Sequence, residues 1–199
     1  IALDFDANGD LWLYTANTLQ NRGKGDVTIR RFNAMTGEED WAYAVNCAKG
    51  KKKDVTFNKE VIPGAMASPV IGQNELSALV YFTISSVSDK GGKALGEAGA
   101  LSSVIVALNK ESGELVWHNA MEAYSYSSPV AVYDEAGHGW IIQACSNGQI
   151  TLMDGLTGEV INTLEVEGTI EGSPAVYGNT LVIGTTGKKT SFIYGITLE

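Results

Sequence analysis

The chain is poor in the residues from which most active sites are built. It has two histidines, His118 and His138, and two cysteines, Cys47 and Cys145, among 199 residues. The cysteines are not adjacent, and no CxxC, His-Glu-x-x-His or Gly-x-Ser-x-Gly occurs, so no zinc ligand set or hydrolase nucleophile turn is present. Their spacing leaves a disulfide and two free thiols equally open, and a catalytic thiol needs a base that the sequence does not place beside either one. Positive charge is scarce: 14 Lys and Arg face 23 Asp and Glu, for a net charge of -9. That argues against nucleic acid and anionic membrane surfaces as main partners. The one basic run, Lys49 to Lys53 around Gly50, reads as a solvated loop. No segment approaches the ~20 apolar residues of a membrane-spanning helix. No signal peptide is visible, but the chain opens on Ile1 and not on Met, so the true N-terminus, with any signal or anchor, is expected upstream. Gly184-Thr-Thr-Gly-Lys-Lys-Thr190 lacks the spacing of a phosphate loop, and no helical pattern follows it.

What is abundant is glycine, 23 residues, alongside a 44% hydrophobic fraction that is enough for a buried core. Much of it belongs to a repeat. Ile29 to Trp41, Val104 to Trp117 and Ile150 to Asn162 each read as a strand, an Asn or Asp, a Thr-Gly or Ser-Gly turn, and a second strand. A Ser-Pro motif follows each: Ala67-Ser-Pro-Val70, Ser127-Ser-Pro-Val130 and Gly172-Ser-Pro-Ala175. Gly113 to Gly158 and Pro129 to Pro174 are both 45 residues, and Gly113 to Pro129 and Gly158 to Pro174 are both 16. Gly37 to Pro69 is 32, and Pro69 to Gly113 is 44 against 29 for Pro129 to Gly158, which marks two insertions of similar size, at about 46–62 and 85–102. Short β-branched and aromatic runs at Leu11 to Thr15, Leu79 to Ile84, Trp140 to Ala144 and Leu181 to Thr185 supply further strands. Phe192 to Leu198 matches the strand at Val104 to Asn109, and no stretch keeps helical periodicity over three turns. The spacing predicts an all-β fold, a β-propeller of four-stranded antiparallel blades with about four blades present, in a single domain over 1–199.

The repeat residues carry structural roles in this reading. Gly37, Gly113 and Gly158 take the positive φ of the hairpin turn, and Asn33, Asn109 and Asp154 bond the turn's backbone amides. Trp41 and Trp117 pack between blades, with Asn162 at the same position in the third unit. Pro69, Pro129 and Pro174 stand at strand starts, where no ladder donor is lost.

Ala-Leu-Asn-x-x-Ser-Gly-x-x-x-Trp with its partner Ser-Pro-Val resembles the quinoprotein-type, pyrroloquinoline-quinone-like tryptophan-docking repeat, over Ile29 to Leu198. The resemblance implies a propeller whose complete forms have about seven or eight blades. It spans quinone-dependent alcohol and sugar dehydrogenases and also non-catalytic propellers, including an outer-membrane assembly lipoprotein and bacterial cell-surface proteins, so it does not settle function. An arc of about four blades leaves open edges. The expectation is the C-terminal part of a larger propeller whose remaining blades close the ring, or self-association of two copies that close it together.

For the dehydrogenases the resemblance implies a quinone on the propeller axis with calcium, a base Asp, cationic contacts and often a disulfide of adjacent cysteines. No residues here match that set, and pyrroloquinoline quinone is not expected, although part of a quinone-dependent dehydrogenase stands as an alternative function. A calcium-stabilised propeller module is another. Asp4-Phe-Asp6-Ala-Asn8-Gly-Asp10-Leu11 has the alternating oxygen ligands of a calcium loop, but its twelfth position is Thr15 and not Glu. The competing reading of the same residues is an Asn-Gly hairpin. The leading expectation is a non-catalytic extracellular, periplasmic or cell-surface scaffold, of bacterial type, that binds a protein or glycan and needs no cofactor. The two insertions are the candidate binding elements, because function sits on loops carried by a rigid frame. Tyr124 and Tyr126 are either an exposed contact or packing at a blade entrance. If the second insertion binds, deleting Lys90 to Ala100 weakens partner binding without lowering thermal stability.

Overall fold

The structure, a computed structural model, describes residues 1–19, 23–49 and 61–198. Strands follow one another as antiparallel neighbours. The first blade is β1 (Ala2–Phe5), β2 (Leu11–Ala16), β3 (Lys24–Asn33) and β4 (Glu39–Ala48). The second is β5 (Val70–Ile71), β6 (Leu79–Val87), β7 (Leu101–Asn109) and β8 (Leu115–Met121). The third is β9 (Val130–Tyr133), β10 (Gly139–Ala144), β11 (Gln149–Asp154) and β12 (Val160–Glu165). A fourth blade holds β13 (Ala175–Tyr177), β14 (Thr180–Thr185) and β15 (Phe192–Thr197). Pro69, Pro129 and Pro174 each immediately precede the first strand of a blade.

The turn chemistry repeats with the sequence. The side-chain oxygens of Asn33, Asn109 and Asp154 each accept two backbone N–H groups two and three residues on. The N–H of Gly37, Gly113 and Gly158 donates back to the same residue's carbonyl, at φ of +77°, +72° and +74°. A register shift recurs one step later, at Arg31/Phe32, Ala107/Leu108 and Leu152/Met153. It sets Trp41, Trp117 and Asn162 opposite Arg31, Ala107 and Leu152, so Asn162 does occupy the tryptophan position of its blade.

Strand alternation sends one set of side chains to each neighbouring blade. Val80, Phe82, Ile84, Val104 and Val106 pack on Tyr14, Val27, Ile29 and Val45 of the first blade. Tyr81, Ile105 and Ala107, from the other face, meet Ile141 and Met153 of the third. Ile142, Ile150 and Leu152 meet Leu181, Ile183 and Ile196 of the fourth. There is thus one apolar core per blade interface. The first two blades are also joined through the backbone: Cys47 of β4 pairs with Val87 of β6, which merges them into one eight-stranded sheet.

Antiparallel order divides the connections between two ends. The β1–β2 and β3–β4 turns and their counterparts form a hairpin end. The β2–β3, β4–β5 and corresponding connections form the opposite end, and both insertions are there.

Candidate functional site

The elaborated end is the candidate site. Its second insertion is not a loop. β6 runs on to Val87, Ser88 caps a short helix α1 (Asp89–Ala94), and the chain re-enters the sheet at Leu101. The Ser88 hydroxyl accepts from Gly91 N–H, the usual N-cap bond. The helix sits on the first blade through Asn46. Asn46 Nδ2 donates to Asp26 at 2.6 Å, its Oδ1 accepts from the Ser88 hydroxyl at 2.6 Å, and its carbonyl accepts Ser88 N–H. Gly91 and Gly92 are buried, and a Cβ on either would strike backbone, of Asn46 and Gly99 respectively. Glu97 meets His118 of β8 at 2.9 Å. The segment is therefore built into the frame, and deletion of Lys90 to Ala100 is expected to cost stability as well as any binding. Sequence missed α1 because six residues, two of them glycine, carry too few turns to show a period.

Of the first insertion, residues 50–60 lie outside the described residues, and with them Lys51 to Lys53 of the basic run. Where the chain returns it is stitched between two blades. Gly64 bridges Thr18 on one side and Ser85 on the other, and a Cβ there would lie 2.6 Å from the Thr18 backbone. Ile62 N–H donates to the Tyr126 hydroxyl at 2.8 Å. The Tyr126 ring lies 4.9 Å from that of Tyr124, which is buried and donates its hydroxyl to Glu171 at 3.1 Å. The pair thus packs at the blade entrance. Beneath it runs a buried polar floor: Thr83 donates to Gln143 Oε1 at 2.6 Å, Gln143 Nε2 donates to the Ser125 hydroxyl and the Ser127 carbonyl, and Ser85 donates to the Ser125 carbonyl. Each of these groups meets a partner, as burial requires. Ser86, beside them, is held at φ +60°.

The tryptophans lock the blades. Trp41 Nε1 donates to the Lys110 carbonyl and Trp117 Nε1 to the Gly155 carbonyl, both at 2.9 Å. Each indole lies on a turn glycine of the next blade: a Cβ on Gly113 or Gly158 would come within 2.6 or 2.5 Å of it. Gly37, in the same turn of the first blade, has nothing within 4 Å. Between the third and fourth blades, where Asn162 replaces tryptophan, a cleft of about 360 Å³ remains, lined by Ile150, Leu152, Asn162, Leu164, Ile196 and Leu198 among others. In the first blade Arg31 is buried, its guanidinium 3.6 Å over the Trp12 ring and paired with Asp40 at 2.8 Å.

The Asp4 to Asp10 segment forms the β1–β2 hairpin. Asp6 Oδ1 accepts the N–H groups of Asn8 and Asp10 at 2.9 Å, and Oδ2 accepts Trp12 Nε1 at 3.0 Å. The indole bond first, then the backbone N–H groups, hold the Asp6 carboxyl below its ordinary value. Asp4 points to Lys110 of the second blade, 2.5 Å away. Among the described residues no three His, Cys, Asp or Glu side chains converge as metal ligands. The described carboxylates thus assemble no cluster of the kind the resemblance implies for the calcium of the dehydrogenases. Lys90 and Lys93 lie on the β6–β7 connection of the elaborated end, and Lys188 and Lys189 on the β14–β15 connection. Cys47 and Cys145 are both free and buried, in different cores, with thiol pKa values pushed up to about 12 by burial.

The glucose/ethanol/alcohol dehydrogenase β-propeller domain family matches residues 13–122, and the outer membrane protein assembly factor BamB family matches residues 101–194. No curated protein matches the chain. Among solved structures, BamB from Moraxella catarrhalis is 16% identical with a TM-score of 0.56, over 98% of this chain and 45% of that one. A quinohemoprotein alcohol dehydrogenase from Pseudomonas putida HK5 is 15% identical with a TM-score of 0.58, over 90% of this chain and 35% of that one. The computationally designed Ika4 protein is 10% identical with a TM-score of 0.52, over 93% of this chain and 92% of that one. The chain thus spans less than half the length of the two natural proteins. With more than half of its residues inside the dehydrogenase-type propeller match, the chain belongs to the pyrroloquinoline-quinone-type β-propeller repeat family.

Proposed function

We propose that this propeller is a non-catalytic scaffold that binds a protein partner through its elaborated end, in the periplasm or at the cell surface. One observation supports the reading: both insertions leave the frame at the same end, and their flanks are fixed there by the half-buried Asn46–Ser88 hydrogen bond and by the bridges of Gly64 to Thr18 and Ser85. Anchoring fixes the base of a surface loop and lowers the ordering cost that binding must overcome. The family likeness to an outer-membrane assembly factor supports a protein as the partner and the periplasmic side as the place. Part of a quinone-dependent dehydrogenase is the second reading, supported by the match over 13–122. A photo-crosslinking side chain at Lys90 or Lys188, compared in the native host with one at Met35 or Glu111 of the hairpin end, tests the proposal. Protein adducts are expected at the first two positions and not at the second two. Adducts at the hairpin end alone, or none at the elaborated end, refute it.

A further inference from the structure

Two Asn-Gly steps occur in the chain, Asn8-Gly9 and Asn147-Gly148, in the β1–β2 and β10–β11 turns. A glycine after asparagine offers the least hindered backbone nitrogen for attack on the side-chain carbonyl carbon, because it carries no Cβ. The sequence ranks the two steps alike, and the structure separates them. In both turns the glycine N–H is held, by the Asp6 carbonyl at 3.0 Å for Gly9 and by the Cys145 carbonyl at 3.1 Å for Gly148. Ring closure breaks that bond, so its rate follows the ease of opening the turn. At Gly148 opening also costs packing. The residue is buried, its carbonyl accepts Val166 N–H at 3.0 Å, and a Cβ placed on it would strike the Val166 carbonyl oxygen. The Asn147 side-chain oxygen is tied as well, accepting Gln149 N–H at 3.2 Å. At the first turn both residues are exposed, and nothing lies within 4 Å of where a Gly9 Cβ would stand. The described hydrogen bond of Asn8 runs through its N–H, to Asp6, and not through its carboxamide.

We propose that Asn8 is a site of spontaneous covalent modification, converted through a succinimide to aspartate and isoaspartate, while the fold protects Asn147. The Gly9 nitrogen gives up its proton and bonds to Asn8 Cγ. The Cγ–Nδ2 bond breaks, and ammonia leaves with that proton. Water then opens the ring, at the side-chain carbonyl to give aspartate or at the backbone carbonyl to give isoaspartate. No oxidant or cofactor enters. Either product adds a negative charge beside Asp4, Asp6 and Asp10. Isoaspartate also routes the backbone through Cβ, which displaces the Asn8 and Asp10 N–H groups that Asp6 accepts. The same carboxylate holds Trp12 Nε1, and Arg31 lies over the Trp12 ring, so the change at the turn reaches the interior of the first blade. This inference concerns the chemistry of one turn, so it stands or fails independently of the scaffold reading.

Incubation of the folded 199-residue chain at mildly alkaline pH tests it, with products located by peptide mass mapping and isoaspartate counted by isoaspartyl methyltransferase labelling. In the folded chain Asn8 is expected to react at least ~10-fold faster than Asn147, because the exposed turn opens more readily than the buried one. In concentrated urea, where both turns are lost, the two rates should converge. Asn8→Gln should abolish the labelling of the folded chain, since glutamine must close a larger ring. That position is exposed, so far-UV circular dichroism of the variant should match wild type and keeps misfolding distinct from loss of the site. Equal rates at the two asparagines in the folded chain, no reaction at Asn8, a rate difference that persists in urea, or labelling that survives Asn8→Gln would each overturn the assignment.

Discussion

Three glycines at one repeat position separate turn strain from tryptophan docking. Gly37, Gly113 and Gly158 share nearly the same left-handed φ, but only the last two lie under an indole. Alanine at Gly37 should cost only the left-handed backbone penalty, about 1–2 kcal/mol. Alanine at Gly158 adds a Cβ 2.5 Å from the Trp117 ring. The ring must shift from a site where it is 7% exposed, packs 5.7 Å from the Tyr81 ring centroid and bonds the Gly155 carbonyl. Overpacking of this kind adds roughly 1–3 kcal/mol. The total, about 2–5 kcal/mol, stays below the summed cost of strain and of losing the indole, since Trp→Ala in a core costs roughly 3–5 kcal/mol. In a Trp117→Ala background the same Gly158→Ala change has no ring to displace and should fall back to the Gly37→Ala value. Urea unfolding followed by circular dichroism, on the four proteins of a double-mutant cycle, measures the coupling directly. Equal losses for Gly37→Ala and Gly158→Ala, or a cycle that closes additively, would show that the glycine serves the turn alone and that the docking argument is wrong.

Four further outcomes follow from single contacts. Asn46→Ala should cost about 1–3 kcal/mol, because it removes the side-chain hydrogen bonds to Asp26 and the Ser88 hydroxyl while leaving the backbone contact to Ser88 in place; a wild-type denaturation midpoint would refute the anchoring. Millimolar calcium should leave the melting temperature unchanged, since the Asp6 oxygens already accept three N–H donors; a calcium-dependent rise absent from an Asp4 and Asp6 double alanine variant would restore the calcium loop. Neither cysteine should react with a thiol reagent near neutral pH until the chain unfolds, as burial pushes both thiols up to about 12; fast labelling of the native chain would contradict the packing. His138 is held above its ordinary value, chiefly by its bond to Asp134. Its contribution to stability is therefore full below about pH 6.5 and fades as the pH rises through the higher folded value. The gap in melting temperature between wild type and His138→Ala should narrow over that range, and a flat gap would refute the pairing.

The architecture was readable because the repeat writes itself in local chemistry. Asn109, Gly113 and Pro129 announce a turn and a strand start through their own backbone preferences, so blade order and register followed from spacing. What stayed hidden lies between blades. The turn glycine and the indole that covers it are separated by 72 residues for Trp41 and Gly113 and by 41 for Trp117 and Gly158, so nothing local ties the docking to the turn. Arg31 gives the same lesson: its burial rests on Trp12, Tyr14 and Asp40, three partners set by register and not by neighbourhood. At the candidate site, the two insertions were found as excess length. Their anchors, Asn46 and Gly64, carry no motif, since an asparagine or glycine becomes an anchor only when another strand arrives beside it. The aspartates of the β1–β2 turn read as a hairpin and, apart from Thr15 at the twelfth position, as a cation loop, and the sequence does not show that the Asp6 oxygens turn to the N–H groups of Asn8, Asp10 and Trp12.

Charge gives the arc a polarity that bears on how a partner approaches. Asp4, Asp6, Asp10, Glu38, Glu39, Asp40, Glu75, Glu111, Glu114, Asp134, Glu135, Asp154 and Glu159 all belong to the hairpin end, thirteen of the chain's 23 acidic residues, against Arg30, Arg31 and Lys110, three of its 14 Lys and Arg. Those three cations are spent within the fold, on Glu39, Asp40 and Asp4. The hairpin end therefore presents a field of one sign, and an anionic surface is repelled from it. Screening confines the effect to about 8 Å at physiological ionic strength, so it orients an encounter and does not hold a complex together. Holding falls to contacts at short range, and those require a surface whose geometry is fixed before the partner arrives. Under the proposed scaffold reading that surface is the opposite end, where α1 and the returning 61–66 segment are pinned to two blades at once.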